Sequence, residues 1–450
     1  MTQPINSSEI LDFAGKEAKK QTADPFEIYF EKVKKLSIEC KDGHTDSFTQ
    51  ATDQGLSIRI LSQGKMGFSY TTEMTESSIR STIEKAKEIA KYIPEKSHLG
   101  FQNFKDHSYP SLQLKDDHGL SRSTEEKIQQ AIHLEKKTRA IDSRISGVRT
   151  ANFKEVEYEV GMQDHLGNQI GFEGSLFSAS VLAKAGTGDD QQMGGGFDFH
   201  THFDQVDFDF VAKEAADSAL ELLGASQAPT MTCPAIFRND VVSSLVGFMA
   251  SSFSIENIEK GRSLLAKKQG GQIFSKKIKM EMNGLYEGGY DTAPFDAEGT
   301  PSQILPLIED GVLTSYLYDL HYANKLSKTP SGCTSRGIKS APSIGTRNLL
   351  IQPGSETKED WIGTIEKGIL ITDLMGLHTA NPITGDFSLG ASGILIEKGK
   401  LTQPVKGFAV AGNILDVFKN VQSVGSDFRL FGSVGVPSLL VERISVGGNS

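Results

Sequence analysis

The sequence predicts an α+β protein in two parts: an N-terminal domain over residues 1–226, in which helices bracket strand meanders, and an antiparallel, β-rich C-terminal domain over 227–450. Three observations predict it. Runs such as Phe26-Glu27-Ile28-Tyr29-Phe30 alternate in polarity, which is the period of a strand with one buried face. Elsewhere apolar residues recur three and four apart, as at Ile79, Ile83, Ala86 and Ala90, and line one side of a helix. Beyond Pro229 the chain becomes β-rich and dense in glycine. A chain of 450 residues also exceeds what one hydrophobic core ordinarily organises.

The elements follow in order. A first helix is expected from Ser7-Ser8-Glu9, where a hydroxyl caps the turn ahead of Ile10, Leu11, Phe13 and Ala14. Strands are expected at 26–30, 36–40 and 55–60, with turns at Asp42-Gly43 and Gln63-Gly64. A second helix covers 75–92. The polar stretch 94–121 has three histidines and Pro110 but no sustained period, and reads as a linker. The same order then returns. A helix over 124–139 leads to strands near 145–150, 155–161, 169–172 and 176–183. A turn-rich stretch over 186–196, a strand over 197–203 and a helix over 208–223 follow, with Gly224 as the stop. Helix, meander, helix occurring twice points to a duplicated N-terminal half.

In the second half Pro234-Ala235-Ile236-Phe237 reads as a buried strand, followed by a short helix over 241–251. Asp310-Gly311 sits at the centre of a hairpin, Lys398-Gly399 repeats that form, and 437–444 is a closing strand.

Composition excludes several classes of function. A net charge of −10 argues against a nucleic-acid surface, which is normally basic. Lys267, Lys268, Lys276, Lys277 and Lys279 form the one basic cluster, and read as a solvated face. Cys40, Cys233 and Cys333 lie far apart, so no disulfide framework is expected. No apolar run approaches the ~18 residues of a membrane span, and the N-terminus carries no signal-like apolar region. A cytoplasmic protein, with neither membrane nor nucleic acid as partner, is the expectation.

Several residue groups compete as sites. Asp198, His200, His202 and Asp204 would share one strand face, and a His-x-His pair can chelate zinc. The same alternation describes an ordinary half-buried strand with its phenylalanines inward. Asp296 and Glu298 would point the same way as an acid–base pair, or organise a turn before Gly299-Thr300-Pro301. Ser388 lies in Gly385-Asp386-Phe387-Ser388, where Asp386 stands at the glycine position that a nucleophile elbow needs. Cys233 and Cys333 have no sequence-adjacent base. Gly194–Gly196 lacks the lysine of a phosphate loop and reads as a turn.

The runs Phe295-Asp296-Ala297-Glu298-Gly299-Thr300-Pro301, Glu309-Asp310-Gly311-Val312-Leu313 and Ile383-Thr384-Gly385-Asp386-Phe387-Ser388 carry a resemblance. So do Ala391-Ser392-Gly393, Ile396-Glu397-Lys398-Gly399, Ala411-Gly412-Asn413 and Val424-Gly425-Ser426-Asp427. Their order and spacing resemble the TldD/PmbA family of peptidase subunits. In the zinc-carrying TldD-type members, a His-Glu-x-x-x-His motif supplies two ligands and the base, and a cysteine near the C-terminus supplies the third ligand. Set against that motif, Ser243-Ser244-Leu245-Val246-Gly247-Phe248 loses both histidines and the glutamate. The region matching the cysteine is Gln422-Ser423-Val424-Gly425, and no cysteine follows Cys333.

The resemblance therefore implies a PmbA (TldE)-type subunit with no catalytic or metal residue of its own, Ser243, Ser244 and Phe248 marking the degenerate positions. It implies no cofactor in this chain and zinc in a TldD-type partner, together cleaving unfolded or leader peptides. Asp296, Glu298, Gly299, Thr300, Thr384, Gly385, Asp386 and Ser388 are the expected peptide-cleft residues, since strand glycine lets another backbone approach and hydroxyls complete its hydrogen bonds. A homodimer, either a stand-alone hydrolase or a peptide-binding scaffold, is the alternative.

Overall fold

A computed structural model describes residues 7–448. The N-terminal half is built on one antiparallel six-stranded sheet. Its strands are β1 (Phe26–Lys41), β2 (His44–Ser62), β3 (Lys65–Thr71), β4 (Ile145–Asp164), β5 (Gln169–Ala185) and β6 (Gln192–His200), in the order β3-β2-β1-β4-β5-β6. The seam is the β1–β4 pair, which runs without a register shift from Glu27↔Asp164 to Cys40↔Ala151. Each half repeats one plan. α1 (Ser7–Gln21) and α2 (Glu76–Tyr92) flank the first meander; α4 (Thr124–Ala140) and α5 (Phe208–Glu221) flank the second, after the short α3 (Asp117–Ser121).

Local chemistry accounts for the boundaries. Thr75 accepts from the Ser78 N–H to start α2, and Ser123 with Glu126 forms a full capping box on α4. Asp42-Gly43 and Gln63-Gly64 all take positive φ, as two-residue hairpins with type I′ geometry require. The strands are longer than their apolar runs. Residues 26–30 and 36–40 belong to one strand, as do 145–150 with 155–161 and 169–172 with 176–183. The polar residues between the runs pair across the sheet, Lys34 with Glu157 at 2.8 Å and Lys35 with Asp53 at 3.0 Å, so charge in these places marks a ladder and not a loop.

Two further expectations are corrected. Gly194–Gly196 lies inside β6 and is not a turn. A Cβ on Gly194 would stand 2.0 Å from the Ala219 nitrogen, and one on Gly196 would stand 2.2 Å from the Val211 carbonyl oxygen; glycine is there so that α5 can lie directly on the strand. The 197–203 strand ends at His200, and Phe203–Gln205 turns into a 3-10 helix.

In the C-terminal half, β7 (Ser226–Gln227) and β8 (Met231–Phe237) join strands 367–375, 386–397, 400–413, 421–424 and 439–447 in a seven-stranded sheet. Strand 439–447 pairs both with β8 and, over Ala409↔Gly447 to Ala411↔Ser445, with 400–413. Five strands thereby form a closed ring. A second, six-stranded sheet runs through 280–283, 304–309, 312–313, 348–351, 429–431 and 434–436. Three pairings are parallel, β8 with 367–375, β7 with 400–413 and 348–351 with 434–436; the other ladders of this half are antiparallel. α6 (Asn239–Met249) buries Val241, Val242, Leu245, Val246 and Met249 in the core these sheets share. Among the described residues no helix is long and apolar enough to cross a membrane.

Candidate functional site at the interdomain cleft

α6 follows Arg238, which ties the two halves together. Its guanidinium reaches Glu221 at the end of α5 at 2.9 Å and Asp240 at 2.7 Å. A second arginine does the same from the C-terminal sheet: Arg429 pairs with Glu214 on α5, and its Nη2 donates to the Phe197 carbonyl at 2.5 Å. Its guanidinium lies 4.5, 4.7 and 4.9 Å from the ring centres of Phe197, Phe210 and Phe431, a stacking that suits the planar, delocalised cation. Between these clasps opens a cleft of ≈ 1050 Å³, with Ser243 and Ser244 on one wall and Phe210 and Glu214 on the other.

Ser243 and Ser244 thus face the cleft. Ser243 Oγ donates to the Asp240 carbonyl at 2.7 Å and Ser244 Oγ to the same oxygen at 3.2 Å. Phe248 is partly buried against the core. Zinc takes deprotonated nitrogen, sulfur or oxygen ligands. Neutral hydroxyls engaged by a carbonyl do not fit it. The loop after Gln422–Gly425 lies at the start of the same helix, since Asn239 Nδ2 donates to the Asp427 carbonyl at 2.9 Å. Ser423 itself hydrogen-bonds Glu356. Among the described residues no three His, Cys, Asp or Glu side chains converge as a metal-ligand set.

Asp296, Glu298 and Thr300 are buried, and their polar atoms are engaged within the chain. Asp296 Oδ1 accepts from the backbone N–H of Glu298 and Thr300 at 2.9 and 3.0 Å, and Oδ2 accepts from Thr334 N–H at 3.0 Å. This is the geometry of a turn organiser. Gly299 has φ +75°, and a Cβ there would meet the Phe104 ring at 2.3 Å.

Glu298 accepts from Leu320 N–H at 2.9 Å and faces Arg59 at 3.4 Å. Arg59 is held in turn by Glu27 at 2.9 Å, and Glu27 also meets Arg336 at 2.8 Å. Burial, opposed by Arg59 and reinforced by Asp296, raises the Glu298 carboxyl to about 7. Burial acts on Glu27 in the same sense, but Arg59 and Arg336 outweigh it and hold that carboxyl below the usual range.

Thr384, Asp386 and Ser388 are exposed. Gly385 has φ +84°, and Asn413 Nδ2 donates to the Thr384 carbonyl and to Asp386 Oδ1, both at 2.8 Å. No hydrogen bond joins this group to Asp296–Thr300 among the described residues; the two stand in different neighbourhoods.

The His200 group does not assemble on one face. His200 Nδ1 accepts the His202 N–H at 3.0 Å, Asp198 accepts the Asp207 N–H at 2.8 Å, and Asp204 pairs with Arg122 at 2.6 Å. Burial and His202 lower the His200 pKa. Cys233 and Cys333 are buried thiols, raised by burial.

Sequence reasoning missed the charged partners Glu27, Arg59, Arg336, Glu214, Glu221 and Arg429, whose pairings join distant parts of the chain. It also missed the role of the 94–121 stretch. Phe104 is buried with Tyr29, Met162 and Phe295. Tyr109 Oη donates to the Gly299 carbonyl at 2.9 Å, and residues 109–116 form a strap along β5. The aromatics Phe101, Phe104 and Tyr109, in an otherwise polar stretch, were the available signal.

Comparison with known proteins agrees with this architecture. Models of the PmbA/TldA metallopeptidase domain 1, central domain and C-terminal domain match residues 26–90, 117–223 and 230–448. A Haemophilus influenzae protein named metalloprotease PmbA homolog is 25% identical, covering 98% of this chain and 96% of its own. A crystal structure from Thermotoga maritima superposes with a TM-score of 0.90 at 25% identity, covering 98% of this chain and all of its own. TldE from Thermococcus kodakarensis gives 0.88 at 19% identity, with 98% and 100% coverage, and so shares the fold. The chain belongs to the PmbA/TldD metallopeptidase family.

Proposed function

We propose that this chain is the metal-motif-lacking, PmbA/TldE-type subunit of a TldD/TldE-like zinc peptidase, and that a TldD-type partner supplies the zinc. The observation that carries the reading is the α6 wall of the cleft, where Ser243 and Ser244 offer no ligand and no base. Such a chain contributes walls and positioning, while hydrolysis of unfolded or leader peptides takes place with the partner's residues. Within this reading the exposed Thr384, Asp386 and Ser388 contact an extended peptide, and the buried Asp296–Thr300 turn holds the neighbouring loop in place. A cytoplasmic location accords with it.

Affinity purification of the chain from native extract tests the proposal. A co-eluting chain with His-Glu-x-x-x-His is the expected result, with peptidase activity in the pair and none in this chain alone. Recovery of a homodimer that hydrolyses peptides unaided contradicts it. Replacing His200 and His202 with alanine is expected to leave the activity of the pair unchanged.

A further inference from the structure

The two halves of the N-terminal sheet are covered unequally. β3 pairs with β2 only from Leu56 to Ser62, and β6 pairs with β5 only from Phe177 to Ala185. In each half the first part of the second strand therefore keeps an outer edge that the third strand does not reach. On β5 the 109–116 strap covers that edge. Ser175 N–H donates to the Leu114 carbonyl at 2.8 Å, Asp116 N–H donates to Ser175 Oγ at 2.9 Å, and Lys115 meets Glu173 at 2.6 Å. Leu114 is buried by this arrangement.

Counted from the first pair with the third strand, Leu56↔Thr71 and Phe177↔His200, Ser175 corresponds to Gln54. Among the described residues no backbone segment hydrogen-bonds to Gln54 as the strap does to Ser175. From Ser47 to Gln54 the backbone makes no hydrogen bond outside its pairing with β1 among the described residues. Seven of these eight residues are exposed, Phe48 among them at 45%.

Open edges recruit other strands unless lysine, proline or a bulge blunts them. Ser47–Gln54 contains neither lysine nor proline, and the register shift on this hairpin lies beyond its end, leaving Asp46 unmatched. Asp46 has no ion-pair partner among the described residues, and Asp53 has only the exposed Lys35. The edge thus offers unpaired backbone groups between two carboxylates. A second copy of the same edge would bring carboxylates towards carboxylates, whereas a basic segment would meet them.

We propose that the Ser47–Gln54 edge of β2 is covered by an extended, lysine- or arginine-bearing segment of another polypeptide, as the strap covers the equivalent edge of β5. Backbone hydrogen bonds would supply affinity, and Asp46 and Asp53 the preference for cations. This holds whether or not the chain is a zinc-free companion.

The test uses the full chain and two labelled eight-residue peptides, Thr-Leu-Lys-Val-Thr-Leu-Lys-Val and its glutamate counterpart. Fluorescence anisotropy is expected to show saturable binding of the lysine peptide, at least about tenfold tighter than the glutamate peptide. Hydrogen exchange of amides 47–54 is expected to slow. Successive residues of an edge strand point their N–H groups alternately inward and outward. One of Thr49→Pro and Gln50→Pro is therefore expected to weaken binding about tenfold with an unchanged circular dichroism spectrum, and Asp53→Lys to weaken it as well. No binding at about 1 mM peptide, equal binding of both peptides, or protection elsewhere than 47–54 would overturn the proposal. Protection of 47–54 without peptide, growing with protein concentration, would assign the edge to a second copy and overturn it equally.

Discussion

Glu27 stands between two buried arginines, Arg59 and Arg336, and is itself 1% exposed. Removing one member of a buried ion group leaves the others charged in a poor solvent, a loss of about 3–5 kcal/mol. Glu27→Ala is expected to show it as a lower urea midpoint. Glu298 answers differently. Its carboxyl is raised from 4.5 to about 7, so the folded state holds a proton that the unfolded state gives up. That contribution is complete below about pH 4.5 and is lost as pH rises through 7. Stability measured by chemical unfolding should fall over that window, and Glu298→Gln should flatten the slope. An equal slope in the variant would show that the carboxyl does not titrate there.

At the scale of elements, β6 and α5 show what the sequence could and could not say. The alanine-rich face of α5 and the turn glycines at 43, 64, 224 and 311 were legible because each follows from a local rule of period or positive φ. Gly194 and Gly196 were not, because their reason lies in a helix that arrives about twenty residues later. Gly194→Ala is expected to cost ~1–3 kcal/mol through displacement of α5. A Cβ on Gly195 would meet nothing within 4 Å, and Gly195→Ala should change stability by less than about 0.5 kcal/mol. Thermal melts of the two variants separate these outcomes. The ion groups were illegible for a related reason: a lone Arg or Glu on a strand reads as solvated until a distant loop covers it. The Asp296 turn, by contrast, was readable from Asp-x-Glu-Gly-Thr-Pro alone.

The whole molecule is held around its cleft by two arginines acting on one helix, Arg238 on Glu221 and Arg429 on Glu214. Arg429→Lys keeps the charge but loses the planar fork and the stack on three rings. A loss of about 1.5–3 kcal/mol is expected, with faster hydrogen exchange in α5 and in 427–431; unchanged exchange there would deny Arg429 a clasping role. What the cleft does depends on its α6 wall. The most direct measurement is zinc content by plasma mass spectrometry on this chain purified alone and on the proposed pair with a TldD-type chain. The account predicts no tightly bound zinc in the first and about one ion per pair in the second. One tightly held zinc per chain in the isolated protein, lost on replacing residues of α6, would contradict it.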